Sequence, residues 1–259
     1  MIWLDAFIRE NGLKYYLFAG SALGARRHNG FIPWDDDIDI VLPREDYAKL
    51  CQLLRTPIDH YVIENTYSES KEFLYTYAKF YDLDTSMTEI LKKKLVRGVF
   101  IDIFPLDGIG NTKKEALQNY RKIDFFNMLL ATRTCVPRAE RKWYKNLAIR
   151  VMCKIPHWLI DDKRLAIKID EENQKHPYDE MKYVGVLMST YRSKDIHLKE
   201  LFGTPTEYSF EGHSFFGPEK IDDYLKEEYG EWQKLPSEDK RHSAHDFIDL
   251  DLNKSYITL

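Results

Sequence analysis

The sequence predicts an α+β or α/β protein in which a mixed β-sheet is flanked by helices and a helical lobe is inserted after the core. Through residue 110, segments with strand periodicity alternate with helical segments. Residues 111–175 are helical in pattern and contain no glycine, and short strands return after them. We therefore expect a core over residues 1–110, a helical lobe over 111–180 and a C-terminal α+β segment over 181–259 that completes the site.

Local patterns predict the first elements. An apolar stripe at helical spacing indicates a helix that ends before Gly12. "LKYYLFAG" indicates a strand, and Ser21 is the expected N-cap of a short helix over residues 22–28. "DIDIVL" alternates with period two, which predicts a strand with Asp37 and Asp39 on one face.

The remaining elements follow in the same way. Pro43 opens a helix that we expect to end near Arg55. "HYVIENT", "FLYTYAKFYD" and "GVFIDIFPLDGIG" have the composition of strands, and the last of them is expected to break at Pro105. One helix is predicted near residues 218–229 among the short strands of the last segment.

Bulk composition excludes several classes of protein. The net charge of −4 does not predict general affinity for nucleic acid. Three widely spaced cysteines (Cys51, Cys135 and Cys153) argue for a reducing compartment and against a disulfide framework or a cysteine-based zinc site. No targeting segment is visible, and no apolar run reaches the roughly 18 residues of a membrane span. We therefore expect a cytoplasmic protein.

The acidic run Asp35, Asp36, Asp37 and Asp39 is the strongest chemical signal. Two carboxylates at i and i+2 on a strand point the same way, and a shared divalent cation would offset their repulsion. Mg²⁺ suits such oxygen ligands and serves phosphoryl chemistry, whereas a solvated acidic turn is the alternative interpretation. Upstream, the Gly20-Ser21 turn between a strand and a helix could hold a phosphate through backbone amides and a hydroxyl.

Together these features resemble the nucleotidyltransferase superfamily, which combines an hG[GS] turn, a DhDh strand and a third carboxylate on a later strand. "GSALGARRHNGFIPWDDDIDIVLPREDY" and "FIDIFPLDGI" resemble more closely the LicD family of phosphocholine transferases, whose relatives include fukutin-related sugar-phosphate transferases. "YAKFYDLDTS" and "YLKEEYGEWQKLPSEDKRHSAH" resemble later family segments. Ser21 stands where the family more often has threonine, and the match is weakest over residues 111–180.

The resemblance implies a nucleotidyltransferase-like fold and a metal site. Asp37 and Asp39 would bind Mg²⁺ and Asp102 would complete the site as a third ligand and as the candidate general base. Asp35 is a further candidate ligand, and Asp36 a supporting group, in a site for one ion or two. Mn²⁺ is the expected substitute for Mg²⁺.

The resemblance also implies residues that contact the donor. Gly20 and Ser21 would touch its phosphates, and Arg27 and His28 follow at the end of the short helix. A guanidinium can grip phosphate bidentately, although Arg27 could instead pair with the acidic run and His28 could be a structural donor. Lys79 lies in an apolar strand, where a buried ammonium needs a phosphate or an aspartate as partner.

The implied reaction transfers phosphocholine from CDP-choline to a sugar hydroxyl of a teichoic acid, lipopolysaccharide or related cell-surface glycan and releases CMP. Transfer of another CDP-linked polyol phosphate or of a nucleotidyl group is the main alternative. A metal-dependent glycosyltransferase is disfavoured because only 36 residues precede Asp37, too few for its nucleotide-binding unit. The intact set of aspartates argues against a binding module without activity.

Several aromatic side chains are candidates for binding a choline ammonium, with core packing as the alternative for each. They are Trp34, Tyr75, Tyr77, Tyr81, Phe104 and Trp232. In the C-terminal segment, Arg241 or His242 could touch phosphate. A zinc site at His242 and His245 is disfavoured because no cysteine accompanies them.

Residues 133–164 combine basic and apolar side chains at helical spacing. The basic members are Arg133, Arg138, Arg141, Lys142, Lys145, Arg150, Lys154, Lys163 and Arg164, and the apolar members are Trp143, Leu147, Val151, Ile155, Trp158 and Leu159. Such a segment can lie on an anionic membrane face, which would suit an enzyme with a lipid-linked glycan acceptor at the inner face of the membrane. Ordinary packing within the helical lobe is the alternative.

Overall fold

The fold was obtained as a computed structural model, which describes residues 1–70, 72–90, 94–134, 137, 141–156, 158–188, 192–242 and 247–258. Its helices are α1 (Ile2–Glu10), α2 (Ala19–His28), α3 (Arg44–Leu53), α4 (Lys113–Thr134), α5 (Trp143–Met152), α6 (Asp162–Asn173) and α7 (Ile221–Tyr229). Its strands are β1 (Tyr16–Leu17), β2 (Asp39–Pro43), β3 (Tyr61–Glu64), β4 (Ala78–Asp82), β5 (Ser86–Ile90), β6 (Lys94–Arg97), β7 (Phe100–Gly110), β8 (Tyr183–Gly185), β9 (Ile196–Leu198), β10 (Thr206–Phe210), β11 (His213–Gly217) and β12 (Phe247–Asp251).

A mixed seven-stranded sheet forms the centre of the molecule. Its main path runs β1-β2-β7-β4-β3, and β8 and β9 extend from the end of β7. Only β2 and β7 pair in parallel among these strands of the described chain. The predicted class, a mixed sheet flanked by helices, is confirmed.

One face of this sheet is apolar and forms the main core. The side chains on it are buried and cluster with those of α1 and α3. They include Ile40, Leu42, Ile63, Ala78, Phe80, Ile101 and Ile103. Burying an aliphatic side chain of this size stabilises a fold by roughly 1.5–3 kcal/mol, so this face anchors the strands and leaves the opposite face available for polar groups.

The prediction that the strand breaks at Pro105 is wrong, because β7 continues to Gly110. The backbone N–H of Asp102 donates to the Ile38 carbonyl oxygen at 3.0 Å, so by alternation the proline nitrogen is directed to the other side of β7. Along β7, the pairing with β4 stops at Ile103, opposite Ala78 where β4 begins, and the pairing with β8 starts at Asp107, opposite Gly185 where β8 ends. Within the described chain, the missing N–H therefore falls in a gap between neighbouring strands, where it costs no ladder hydrogen bond.

The start of α2 also differs from the prediction. Phe18 is the N-cap and the helix begins at Ala19, so Ser21 lies within the first turn rather than at the cap. Its hydroxyl oxygen accepts a hydrogen bond from the backbone N–H of Asp39 at 2.9 Å. The hydroxyl group thus joins the first turn of α2 to the start of β2 instead of satisfying an N–H of its own helix.

The helical lobe and the C-terminal segment contain the predicted types of element. Helices α4, α5 and α6 lie between β7 and β8 in the chain, and α7 covers the expected C-terminal helix. Two small sheets complete the fold: β10 pairs with β11, and β12 joins the β5–β6 hairpin. The turn of the β10–β11 hairpin has positive φ at Glu211 and Gly212, as a type I′ connection requires.

A buried ion-pair network ties the helical lobe to the core. The Arg44 guanidinium, at the start of α3, contacts both carboxylate oxygens of Asp107 in β7 at 2.6 Å. It also donates to Asp170 of α6 at 2.9 Å. Burial and hydrogen bonding of all three groups mean that loss of one partner would leave an uncompensated charge in the interior.

We expect Arg44→Ala to lower the free energy of unfolding by about 3–5 kcal/mol, because two buried carboxylates lose their counter-charge. Chemical denaturation followed by circular dichroism measures this change. Arg26→Ala is the matched control, since Arg26 forms an exposed ion pair with Asp222 and should cost at most about 1 kcal/mol. Equal losses in the two variants would show that the buried network does not join the lobe to the core.

Candidate active site

A row of charged residues crosses the face of the sheet opposite the core. The strand register pairs Asp39 of β2 with Asp102 of β7, Asp102 with Lys79 of β4, and Lys79 with Glu64 of β3. Aligned residues on neighbouring strands project from the same face. Asp102 therefore lies on the same side of the sheet as Asp39, which is the geometry that a shared metal site requires.

Asp37 joins this row from the segment that leads into β2. The regular strand begins only at Asp39, two residues later than the period-two pattern predicts. The chain before it still pairs with β7, since the N–H of Asp102 bonds to the carbonyl of Ile38. One carboxylate oxygen from each of Asp37, Asp39 and Asp102 lies within 4.8 Å of the others. The structure thus brings together the three predicted catalytic aspartates.

The electrostatics of the cluster suit a divalent cation. Burial raises the pKa of Asp39 well above its ordinary value, and the charges of Asp37, Asp102 and Asp35 raise it further. Lys79 opposes this shift. Three converging carboxylates are the hard oxygen donors that Mg²⁺ prefers, and a dication would remove the repulsion that makes ionisation of Asp39 costly. The residues present therefore fit the metal that the sequence predicts.

Lys79 has the aspartate partner expected of it. Its ammonium lies 2.9 Å from Oδ1 of Asp102, and both side chains are nearly inaccessible, with exposed fractions of 3% and 7%. The same ammonium lies 3.2 Å from the ring centroid of Phe100. This cation offsets one of the clustered negative charges and fixes the orientation of the Asp102 carboxylate.

Gly20 lies against the acidic run. A Cβ atom at position 20 would come within 2.5 Å of Oδ2 of Asp35, so a larger residue would displace that carboxylate. Position 20 is in the first turn of α2, where the helix dipole favours negative charge. The Asp35, Asp36 and Asp37 carboxylates form a second group, with one oxygen of each within 4.8 Å of the others. Asp35 therefore stays a candidate metal ligand.

Tyr224 is a supporting residue of this turn that sequence reasoning missed. Its buried hydroxyl accepts a hydrogen bond from the backbone N–H of Ala19 at 3.0 Å. Ala19 has φ of 43°, in the left-handed region that residues other than glycine seldom adopt. A packed helix, α7, thereby holds the strained first residue of α2, and no local sequence signal links residues so far apart in the chain.

Arg27 and His28 lie at the other end of α2. The alternative interpretation, in which Arg27 pairs with the acidic run, is wrong, because its partners in the described chain lie elsewhere. Its guanidinium donates to the carbonyl oxygens of Trp232 at 2.7 Å and Lys234 at 3.5 Å, and to Nδ1 of His28 at 3.4 Å. Desolvation, together with the adjacent guanidinium, lowers the pKa of His28. Arg27 therefore joins α2 to the C-terminal segment, and His28 accepts a hydrogen bond from it. Contact of either side chain with phosphate stays a prediction.

The C-terminal segment also reaches the acidic run. The Arg241 guanidinium lies 5.6 Å from the ring centroid of Trp34, which immediately precedes Asp35. Its Nε donates to the Pro236 carbonyl oxygen at 2.9 Å. His245 lies outside the described residues. Of the C-terminal residues that were predicted to contact phosphate, Arg241 therefore lies beside the acidic run.

Three of the six candidate aromatic residues form a continuous row near Lys79. The ring centroids of Tyr75 and Tyr77 are 5.1 Å apart, and those of Tyr77 and Phe104 are 4.6 Å apart. All three are half-buried. Tyr81 and Trp232, in contrast, are buried. The structure therefore supports core packing, and not choline binding, for these two residues.

The helical lobe carries exposed apolar side chains among basic ones. Trp143 and Trp158 are 75% and 82% exposed, and Leu147, Val151 and Leu159 are also exposed. Two predicted basic members are structural: Arg133 is buried against Asp162, and Lys163 donates to backbone carbonyls. Arg138 lies outside the described residues. No described helix has both the length and the apolar character needed to span a membrane.

The fold is a mixed sheet flanked by helices with a carboxylate cluster on one face, and comparison with known proteins gives the family. Residues 12–142 match the family described as LicD/FKTN/FKRP, nucleotidyltransferase domain. The chain belongs to this family, so the predicted LicD-type enzyme is confirmed.

Two relatives illustrate the range of the family. The lipopolysaccharide cholinephosphotransferase LicD of Haemophilus influenzae is 28% identical over 249 residues, which cover 94% of this chain and 91% of that protein. The ribitol 5-phosphate transferase FKRP of Homo sapiens is 48% identical over 44 residues, 17% of this chain and 9% of that protein. The first similarity extends through the helical lobe and the C-terminal segment, whereas the second is confined to a short stretch.

We expect Asp39→Asn to leave the metal-free protein at least as stable as the wild type, because one of three mutually repelling carboxylates becomes neutral. Adding Mg²⁺ should stabilise the wild type, by about 2.7 kcal/mol at roughly 100 times Kd, and should not stabilise the variant. Thermal melts with and without Mg²⁺ measure both effects.

Asp223→Asn on the exposed side of α7 is the control for the change in charge and should melt like the wild type. If Mg²⁺ stabilises Asp39→Asn as much as the wild type, Asp39 is not a ligand of the metal.

Proposed function

We propose that this protein has a nucleotidyltransferase-like fold and transfers phosphocholine from CDP-choline to a sugar hydroxyl of a cell-surface glycan, releasing CMP. The observation that carries the proposal is the convergence of Asp37, Asp39 and Asp102 on one face of the sheet. Similarity to a lipopolysaccharide cholinephosphotransferase over nearly the whole chain supports phosphocholine as the transferred group and a lipopolysaccharide or related glycan as the acceptor. A teichoic acid is the other acceptor that the sequence suggests.

The chemistry follows from the charges in the site. Asp37, Asp39 and Asp102 would hold Mg²⁺, with Asp35 as a further ligand, and the metal would neutralise phosphate charge and orient the diphosphate. The acceptor oxygen attacks the phosphorus that bears choline, the bond from that phosphorus to the bridging oxygen breaks, and CMP leaves with the electron pair. Asp102 accepts the hydroxyl proton, and Lys79 at 2.9 Å keeps its carboxylate in position.

The first turn of α2 supports donor binding in this scheme. Its backbone N–H groups at Gly20 and Ser21 lie at the positive end of the helix and beside the acidic run. A phosphate held there would stand next to the metal ligands. Arg241, over the ring of Trp34, supplies a cation beside the acidic run.

The aromatic row of Tyr75, Tyr77 and Phe104 suits the quaternary ammonium of choline. Aromatic faces attract such a cation, which cannot donate hydrogen bonds. Phe104 is two residues from Asp102 in β7, so it projects from the face that carries the charged row. The Tyr77 ring packs against Phe104 and lies 5.8 Å from the Lys79 ammonium. The row therefore shares a face of the sheet with the proposed metal ligands, which supports choline as the transferred group.

Transfer of ribitol phosphate from CDP-ribitol is the second candidate function. The 44-residue match to a ribitol 5-phosphate transferase supports it. A polyol would need hydrogen-bonding side chains where choline needs aromatic faces. The aromatic row favours choline.

We expect CMP release from CDP-choline in the presence of Mg²⁺ and a glycan acceptor, and much slower release from CDP-ribitol. Asp37→Asn and Asp102→Asn should each lower kcat by at least about 10³-fold, since each removes charge that acts on the transition state. Quantifying CMP by chromatography gives these rates, and Asp223→Asn should retain the wild-type rate.

Release of a nucleoside diphosphate from a sugar nucleotide, with none of CMP, would contradict the proposal. Faster release of CMP from CDP-ribitol than from CDP-choline would show that the transferred group is a polyol phosphate and not phosphocholine.

We further propose that the protein, cytoplasmic as the sequence predicts, contacts the inner face of an anionic membrane through α5 and the residues after it. The described stretch 141–164 exposes Lys142, Lys145, Arg150, Lys154 and Arg164 but only one exposed acidic residue, Asp161. Exposed tryptophans flank this charge. An anionic bilayer matches both features, because basic groups meet lipid headgroups while tryptophans enter the interface.

We expect binding to phosphatidylserine-containing liposomes at low salt, measured by sedimentation, and little binding to neutral liposomes. Replacing Lys142, Lys145 and Arg150 by glutamate should abolish it. Replacing the exposed lysines Lys14, Lys114 and Lys226 by glutamate is the matched control and should preserve much more of it. Equal losses in the two triple variants would contradict docking through this stretch.

A further inference from the structure

A second cluster of ligand-type side chains lies away from the carboxylate site. Asp195 ends a short 3₁₀ turn over Arg192–Asp195, His197 lies in β9 and Glu228 lies in α7. All three are buried, and one ligand atom from each lies within 4.8 Å of the others. The cluster joins β9 to α7.

Glu227 orients the histidine of this cluster. Its carboxylate oxygen lies 2.8 Å from Nδ1 of His197, a distance at which Nδ1–H donates to the carboxylate. When the imidazole is neutral, this hydrogen bond leaves the lone pair on Nε2, and Nε2 lies 3.3 Å from Oε2 of Glu228. A carboxylate that holds the other nitrogen of a metal-binding histidine is the arrangement found around many protein metal ions.

Two members of the cluster, Glu228 and His197, carry buried polar atoms without a hydrogen bond in the described chain. Glu228 is only 5% exposed, and both of its carboxylate oxygens lack a hydrogen-bond partner within the described chain. Nε2 of His197 lacks one there as well. A buried carboxylate oxygen without a partner costs free energy. Protonation of His197 would supply one positive charge, but it would leave Oε1 of Glu228 without a donor.

We propose that Asp195, His197 and Glu228 bind a divalent transition-metal ion of the Zn²⁺ class, separate from the Asp37–Asp39–Asp102 site. One imidazole nitrogen and two carboxylates form a donor set that Zn²⁺ accepts, whereas Mg²⁺ prefers oxygen ligands alone. The dication would give the Glu228 carboxylate and Nε2 of His197 a partner. Because the ligands are buried, the metal stabilises the fold and does not meet the donor.

The metal links the C-terminal helix to the active site. The ring centroids of His197 and Tyr224 are 5.1 Å apart, and the Tyr224 hydroxyl holds the backbone N–H of Ala19 at 3.0 Å. Fixing α7 against β9 therefore also fixes the first turn of α2. Metal loss should loosen the turn that carries Gly20 and Ser21.

Zinc binding to the full chain tests this site directly. The protein carrying Asp37→Asn and Asp39→Asn is stripped with a chelator, so that the carboxylate site cannot compete, and is then titrated with Zn²⁺ against a chromogenic chelator. One Zn²⁺ per chain and a higher melting temperature are expected. Glu227→Gln should weaken the affinity by about 10–100-fold and keep one site per chain. Glu228→Gln should lose the site.

Cobalt substitution in the same stripped protein keeps the test independent of variant folding. Co²⁺ should give the visible absorption of a site with a nitrogen ligand, and His197→Gln should abolish that absorption. Absence of both stoichiometric Zn²⁺ binding and Co²⁺ absorption would overturn the proposal and leave His197 as a protonated partner of the two glutamates. Unchanged Zn²⁺ affinity in Glu228→Gln would overturn it equally.

Discussion

Mutual repulsion among the carboxylates of Asp37, Asp39 and Asp102 is the constraint on which the rest of the structure depends. The three groups lie on one face of the sheet, half-buried or buried, and the pKa of Asp39 is raised as a result. A fold can hold such a cluster only with strong packing on the other side and with cations nearby. The apolar face of the sheet supplies the packing, and Lys79 supplies one cation. The proposed metal and diphosphate site rests on this incomplete neutralisation of the cluster.

The order and register of the strands bring the charged side chains of the cluster together. The parallel pair β2–β7 sets Asp39 beside Asp102, and the antiparallel pair β7–β4 sets Lys79 beside Asp102. Distant elements then contact the segments beside the cluster: Tyr224 of α7 bonds to Ala19, and Arg241 of the C-terminal segment lies over Trp34. Residues far apart in the chain therefore support the first turn of α2 and the acidic run.

The sequence was sufficient to predict the class of fold, the convergence of the aspartates and the need of Lys79 for a partner, because these depend on local periodicity and on the cost of burying charge. It was not sufficient for features that depend on tertiary neighbours. The continuation of β7 past Pro105 depends on where β4 begins and where β8 ends. The Tyr224–Ala19 contact and the His197 cluster join residues with no shared local pattern. Arg27 was assigned by its position beside the motif, whereas its partners come from the C-terminal segment.

Anomalous diffraction from a crystal soaked with Mn²⁺ and a CDP-linked donor tests the central claim most directly. A manganese peak should lie within about 2.2 Å of carboxylate oxygens of Asp37, Asp39 and Asp102, close to the distance of a Mg²⁺–oxygen bond, with diphosphate oxygens completing the coordination. A peak bound by Asp35, Asp36 and Asp37 without Asp102, or a diphosphate bound away from the metal, would contradict the account.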